Sequence, residues 1–97
     1  MTNPDPTILG AKPTVPDHVL FQEVAGNAAL LNLDTETYFG LDEVGTAMWQ
    51  ALETSETIGA AAESLVEVYD ASLETLQLDI ARLAQDLRSH GLLIIGD

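Results

Sequence analysis

Leu31–Trp49 reads LNLDTETYFGLDEVGTAMW, and this stretch decides the fold of the 97-residue chain. Thr37–Leu41 (TYFGL) has the composition of a short strand. Strand periodicity puts Thr37, Phe39 and Leu41 on one face, and Tyr38 and Gly40 on the other. Asp34-Thr35-Glu36 before it is polar and turns the chain. Asp42 after it has the chemistry of a helix N-cap, with Glu43 favourable in the first turn. Val44, Met48 and Leu52 then recur at i, i+4 and i+8, joined by Trp49, as on one face of a helix. The polar groups here are carboxylates, hydroxyls and one amide, with no Lys, Arg, His or Cys.

Upstream, Val19–Val24 (VLFQEV) and Ala29–Leu33 (ALLNL) read as two more strands, with Gly26-Asn27 suited to the tight turn between them. A three-strand meander leaves edges with unpaired N–H and C=O groups. Downstream, Ser55 or Thr57 can cap a second helix that carries Ile58, Ala61, Ala62, Leu65, Val66 and Tyr69 at helical spacing. Ser72 can cap a third, with the stripe Leu76, Ile80, Leu83, Leu87. Gly91 sits where a left-handed C-terminal cap belongs, and His90 beside it suits the helix C-terminus. The apolar end Leu92–Ile95 is expected to pack back on the domain. The order is β-β-β-α-α-α: a winged-helix-like α+β fold, a three-stranded antiparallel sheet followed by three helices.

All four prolines lie within the first sixteen residues. Proline removes a donor and fixes φ, so residues 1–17 are expected to be a disordered Pro-rich tail and residues 18–97 the domain.

On the third helix, Asp79 and Asp86 fall on one flank of the apolar stripe, with Thr75 and Arg82 beside them. Leu73, Gln77 and Ala84 lie on the other flank. One edge of the helix is therefore acidic. A solvated flank and a binding wall are both open at this point.

Charge excludes several functions. Lys12, Arg82 and Arg88 are the only cations against sixteen acids, a formal net charge of −13. Nucleic-acid binders neutralise phosphates with clustered Lys and Arg, and three scattered cations supply no such footprint. A winged-helix DNA-binding protein would need a basic recognition helix, and the third helix carries Asp79 and Asp86. An anionic membrane would repel the same surface, whereas a cationic partner would be drawn to it. The acids also serve solubility by themselves. There is no cysteine, so disulfides and thiolate metal sites are ruled out. The chain starts with neither a basic segment nor an apolar block, and a cytoplasmic location is the default.

Catalytic chemistry has no motif behind it. His18 and His90 are far apart in sequence and have no metal-ligand spacing. No two carboxylates are marked as an acid–base couple, no Gly-rich phosphate loop is present, and no serine sits in a nucleophile elbow. The expectation is a non-enzyme without cofactor or metal.

The segment LLNLDTETYFGLDEVGTAMW at Leu30–Trp49, Asp79 within LDIARLAQDL, and GLL at Gly91–Leu93 together resemble the PqqD family. These peptide-recognition domains are the RiPP recognition elements, used in making ribosomally synthesised, post-translationally modified peptides. The resemblance spans Val19 to Leu93. Two positions depart from the family pattern: Glu36 stands where a glycine is usual before the YFGL strand, which leaves the turn conformation open, and Asp42 replaces an asparagine with an equivalent cap.

The resemblance implies binding of a precursor's leader segment, which adds as an antiparallel strand to the third strand and packs beside the third helix. The implied peptide-binding residues are Thr37, Tyr38, Phe39, Gly40 and Leu41 on the strand, and Thr75, Leu76, Asp79, Leu83 and Asp86 on the helix. The implied partners are the precursor peptide and a separate maturation enzyme, favoured as the leader peptidase of a lasso-peptide pathway. The alternative within the family is a chaperone that presents a precursor to a radical SAM enzyme in pyrroloquinoline quinone synthesis.

Overall fold

The computed structural model describes residues 6–96. Its main sheet is an antiparallel meander, β2 (Val19–Val24), β3 (Asn27–Asn32) and β4 (Thr37–Leu41), in the order β2-β3-β4. Three helices follow: α1 (Glu43–Thr54), α2 (Ile58–Leu65) and α3 (Leu73–Ser89). A second, two-stranded sheet joins β1 (Lys12–Thr14) to β5 (Ile94–Gly96). The winged-helix-like α+β arrangement read from the sequence is the one observed.

The first turn falls one residue earlier than Gly26-Asn27. Val24 pairs with Asn27, which leaves Ala25 and Gly26 as the two central residues, at φ 55° and 87°. Positive φ at both central positions is what a type I′ hairpin turn requires. The strand after it therefore begins at Asn27 and ends at Asn32, where the sequence reading placed it at 29–33.

Register aligns Phe21, Leu30 and Phe39 across the sheet, with Ala28 opposite Leu41 on the same face. Leu30, Ala28 and Leu41 are buried in the core, and Phe21 stacks on Trp49 of α1 with ring centroids 6.5 Å apart. The opposite face carries the cross-strand row Leu20, Leu31 and Tyr38.

Each helix starts at the residue whose side chain can take an orphan N–H. Asp42 Oδ1 accepts from Gly45 N–H (2.7 Å), Thr57 Oγ1 from Ala60 N–H (3.0 Å), and Ser72 Oγ from Thr75 N–H (3.2 Å). At the end of α3, Gly91 N–H donates to Arg88 O and Leu92 N–H to Leu87 O, with Gly91 at φ 72°. That bond pattern is a Schellman motif.

Burial differs from the stripes in three places. Val44 is 43% exposed, so the buried face of α1 is Thr46, Met48, Trp49, Ala51 and Leu52. α2 stops at Leu65, and Val66 is exposed in the turn that follows. On α3 the buried set is Leu76, Ile80, Ala81, Ala84 and Leu87, while Leu83 is half-buried. The helix is rotated so that Ala84, expected on a flank, enters the core. α2 packs on α3 and also buries alanines, Ala61 and Ala62; small side chains let two helices approach closely.

Part of the segment read as a Pro-rich tail, residues 6–14, carries local structure. Pro6–Gly10 form a 3₁₀ turn, Ile8 enters the core, and Ile58 N–H donates to Ala11 O (3.0 Å). A Cβ at Gly59 would lie 2.9 Å from Leu9 O, so the turn and α2 are in close approach. β1 then pairs antiparallel with β5, with Pro13 opposite Ile95. Both strands of a two-stranded sheet are edges, and edges tolerate proline. The apolar pair Ile8-Leu9 outweighs the prolines that flank it. Residues 1–5 of the expected tail lie outside the described residues.

Candidate functional site

The strand order makes β4 an outer strand: β3 occupies one of its edges, and among the described residues no strand pairs with the other. A free edge presents N–H and C=O groups at strand spacing, ready to accept another extended chain. Thr37, Tyr38 and Gly40 are exposed and Phe39 is half-buried. Tyr38 is 72% exposed, and a Cβ built on Gly40 meets nothing within 4 Å, so the strand is approachable at its middle. Leu41 is buried, so its side chain belongs to the core and only its backbone is left for an incoming strand.

Of the helix candidates, Thr75, Asp79 and Asp86 are exposed and Leu83 is half-buried. Leu76 is 4% exposed; it supports α3 from inside and offers little contact surface. Asp79 and Asp86 make no ion pair among the described residues. They are free to meet a cationic group. The described residues contain no cluster of three or more His, Asp or Glu side chains arranged to hold a metal, and no helix long and apolar enough to cross a membrane.

Asn32, which ties the turn before β4 to the end of α3, was not singled out by sequence reasoning. Asn32, at the end of β3, is 2% exposed. Its Oδ1 accepts from Asp34 N–H (3.0 Å) and Thr35 N–H (3.2 Å), and its backbone carbonyl accepts from Glu36 N–H (2.7 Å). Its Nδ2 donates to the carbonyl of His90, the C-cap of α3, at 3.0 Å. With Oδ1 taken by two N–H groups, the side-chain amide has only one orientation that satisfies both sides. The Phe39 ring meets the His90 imidazole edge-on at 5.1 Å. The His90 Nδ1 lies 2.7 Å from the Asp86 carbonyl, which agrees with the capping role read from the sequence. His18 Nε2 is 2.9 Å from Gly91 O, and its Nδ1 is 3.5 Å from an Asp34 carboxylate oxygen. The available signal for Asn32 was an amide on the inward phase of an otherwise apolar strand, where a buried polar group needs partners.

Glu36 stands at φ 58°. The turn before β4 thus takes the left-handed conformation that suits glycine, with glutamate in its place.

The outer edge of β4, free among the described residues, has the geometry on which an extended peptide can dock. Residues 27–93 match the model of the family described as coenzyme PQQ synthesis protein D, PqqD. That match covers more than half of the chain, and the chain belongs to the PqqD family. No curated protein matches the sequence. Among solved structures, TbiB1 in complex with the TbiA(beta) leader peptide is similar at a TM-score of 0.76 and 29% identity, covering 82% of this chain and 93% of TbiB1. A lasso peptide synthetase B1 complexed with the leader peptide is similar at a TM-score of 0.77, covering 87% of this chain and 99% of that one. At 19% identity the second likeness concerns the fold.

Proposed function

We propose that the protein is a non-catalytic recognition protein that binds the leader segment of a ribosomal precursor peptide. The leader adds as a strand to the free edge of β4, and the protein delivers the precursor to a separate lasso-peptide leader peptidase. The observation that carries this reading is the open edge Thr37–Leu41, with Phe39 set against His90 at the C-terminal end of α3. Backbone bonding to the strand supplies affinity, and side chains on alternate positions supply selectivity. The similarity to TbiB1, itself solved with a leader peptide, supports leader binding. The family's description names coenzyme PQQ synthesis, and the second reading is presentation of a precursor to a radical SAM enzyme in that synthesis.

Asp79 and Asp86 supply the charge selectivity in this reading: a leader with Lys or Arg facing α3 is preferred. A fluorescently labelled synthetic leader, from the precursor encoded beside the gene, should bind saturably with a Kd of about 10⁻⁶ to 10⁻⁸ M. Asp79→Asn and Asp86→Asn should each weaken binding roughly 5- to 150-fold if the charge pairs are partly desolvated. Glu63→Gln, on the exposed side of α2, should leave it unchanged. Absence of binding up to high micromolar leader contradicts the reading. Equal, negligible effects at all three acids would leave the leader held by backbone and apolar contacts alone.

A further inference from the structure

The bonds around Asn32 do more than close a turn. They connect the turn that starts β4 to the residue that ends α3. One side of the Asn32 amide is spent on Asp34 and Thr35 N–H, and the other on the His90 carbonyl. Gly91 leaves room for this: a Cβ there would sit 2.9 Å from Asn32 Nδ2. Phe39, in the middle of β4, closes on the His90 ring from the strand side. Among the described residues β4 has a strand neighbour on one edge only, so ladder bonds alone do not fix its distance from α3.

We propose that Asn32 is a positioning residue for leader capture. It sets the spacing between the docking strand and α3, and so holds the edge ready before the leader arrives. The inference rests on the function proposed above. Its physical content is preorganisation: an edge already held in its bound geometry loses less conformational freedom on binding, and that saving appears as affinity. Asn32 itself is buried and touches no leader.

Asn32→Asp is the direct test. It keeps the Oδ1 acceptor for the turn and replaces the donor toward His90 O with an oxygen. Leader affinity, measured with the labelled synthetic leader at a temperature where the variant is folded, should fall about tenfold. Ile80→Val, in the core of α3, is the control for lost stability and should bind within about twofold of wild type. Amide hydrogen exchange at Tyr38 and Phe39 in the free protein should accelerate in Asn32→Asp and stay unchanged in Ile80→Val.

If Asn32→Asp fails to fold, Gly91→Ala carries the test. Its Cβ would lie 2.9 Å from Asn32 Nδ2 and displace that donor from the His90 carbonyl. It should weaken leader binding by about threefold. Wild-type affinity in whichever of these variants is folded, or an equal loss in Ile80→Val, overturns the positioning role while leaving leader binding intact. Failure of the wild-type protein itself to bind the leader overturns both.

Discussion

The two hairpin turns of the main sheet each place a non-glycine residue at positive φ, Ala25 at 55° and Glu36 at 58°, yet they are anchored differently. The β2–β3 turn is two residues long and closes on the paired residues Val24 and Asn27, both exposed. The β3–β4 turn is longer, and groups from three places converge on it: the Asn32 side chain from within, the His18 side chain from just before β2 and, through the Asn32 amide, the backbone carbonyl of His90 from the end of α3. One turn only reverses the chain. The other ties a strand with a free edge to the helix beside it. Local strain of the same kind is tolerated in both, but only the second is positioned by contacts distant in sequence.

Breaking the anchored turn should have the largest effect. Asn32→Ala orphans the His90 carbonyl and two turn N–H groups, and should lower unfolding free energy by about 2–3 kcal/mol in urea denaturation. Gly91→Ala attacks the same junction from the helix side. It forces a side chain into φ 72° and against Asn32 Nδ2, and should lower stability by about 1–2 kcal/mol, read as a drop in denaturation midpoint. Glu36→Gly should act in the opposite direction. It removes a left-handed penalty at the anchored turn and should stabilise by about 0.5–1 kcal/mol, seen as a higher Tm. Ala25→Asn, at the unanchored turn, creates the Asn-Gly pair that a type I′ turn favours and should add about 0.5 kcal/mol. Equal losses from disrupting either turn would erase the contrast between them.

The locally encoded parts of this fold were legible in the sequence. The β4 limits, the caps at Asp42 and Ser72, and the left-handed Gly91 each depend on a few adjacent residues and read correctly, while the choice between Ser55 and Thr57 for α2, left open in the sequence, falls to Thr57. The free edge and the exposed acids of α3 also followed from pattern. The parts that did not read share a dependence on distant partners. Ile8 and β1 are ordered by α2 and β5, contacts that no proline count reveals. The rotation of α3 toward Ala81 and Ala84 depends on packing against α2. Asn32 looked like one polar residue in an apolar strand because its partner, His90, is 58 residues away. The turn phase at Ala25-Gly26 was missed for a local reason: Gly26 can occupy either central position, and strand pairing decides which.

In the proposed binding mode β4, and not the sheet's other edge β2, receives the leader strand. Residue-resolved amide hydrogen exchange, with and without saturating synthetic leader peptide, tests it most directly. Strand addition should slow exchange at alternate amides within Thr37–Leu41, where the N–H points to the free edge, and leave Val19–Val24 unchanged. Protection of Val19–Val24, or of neither strand under saturating leader, would contradict the account.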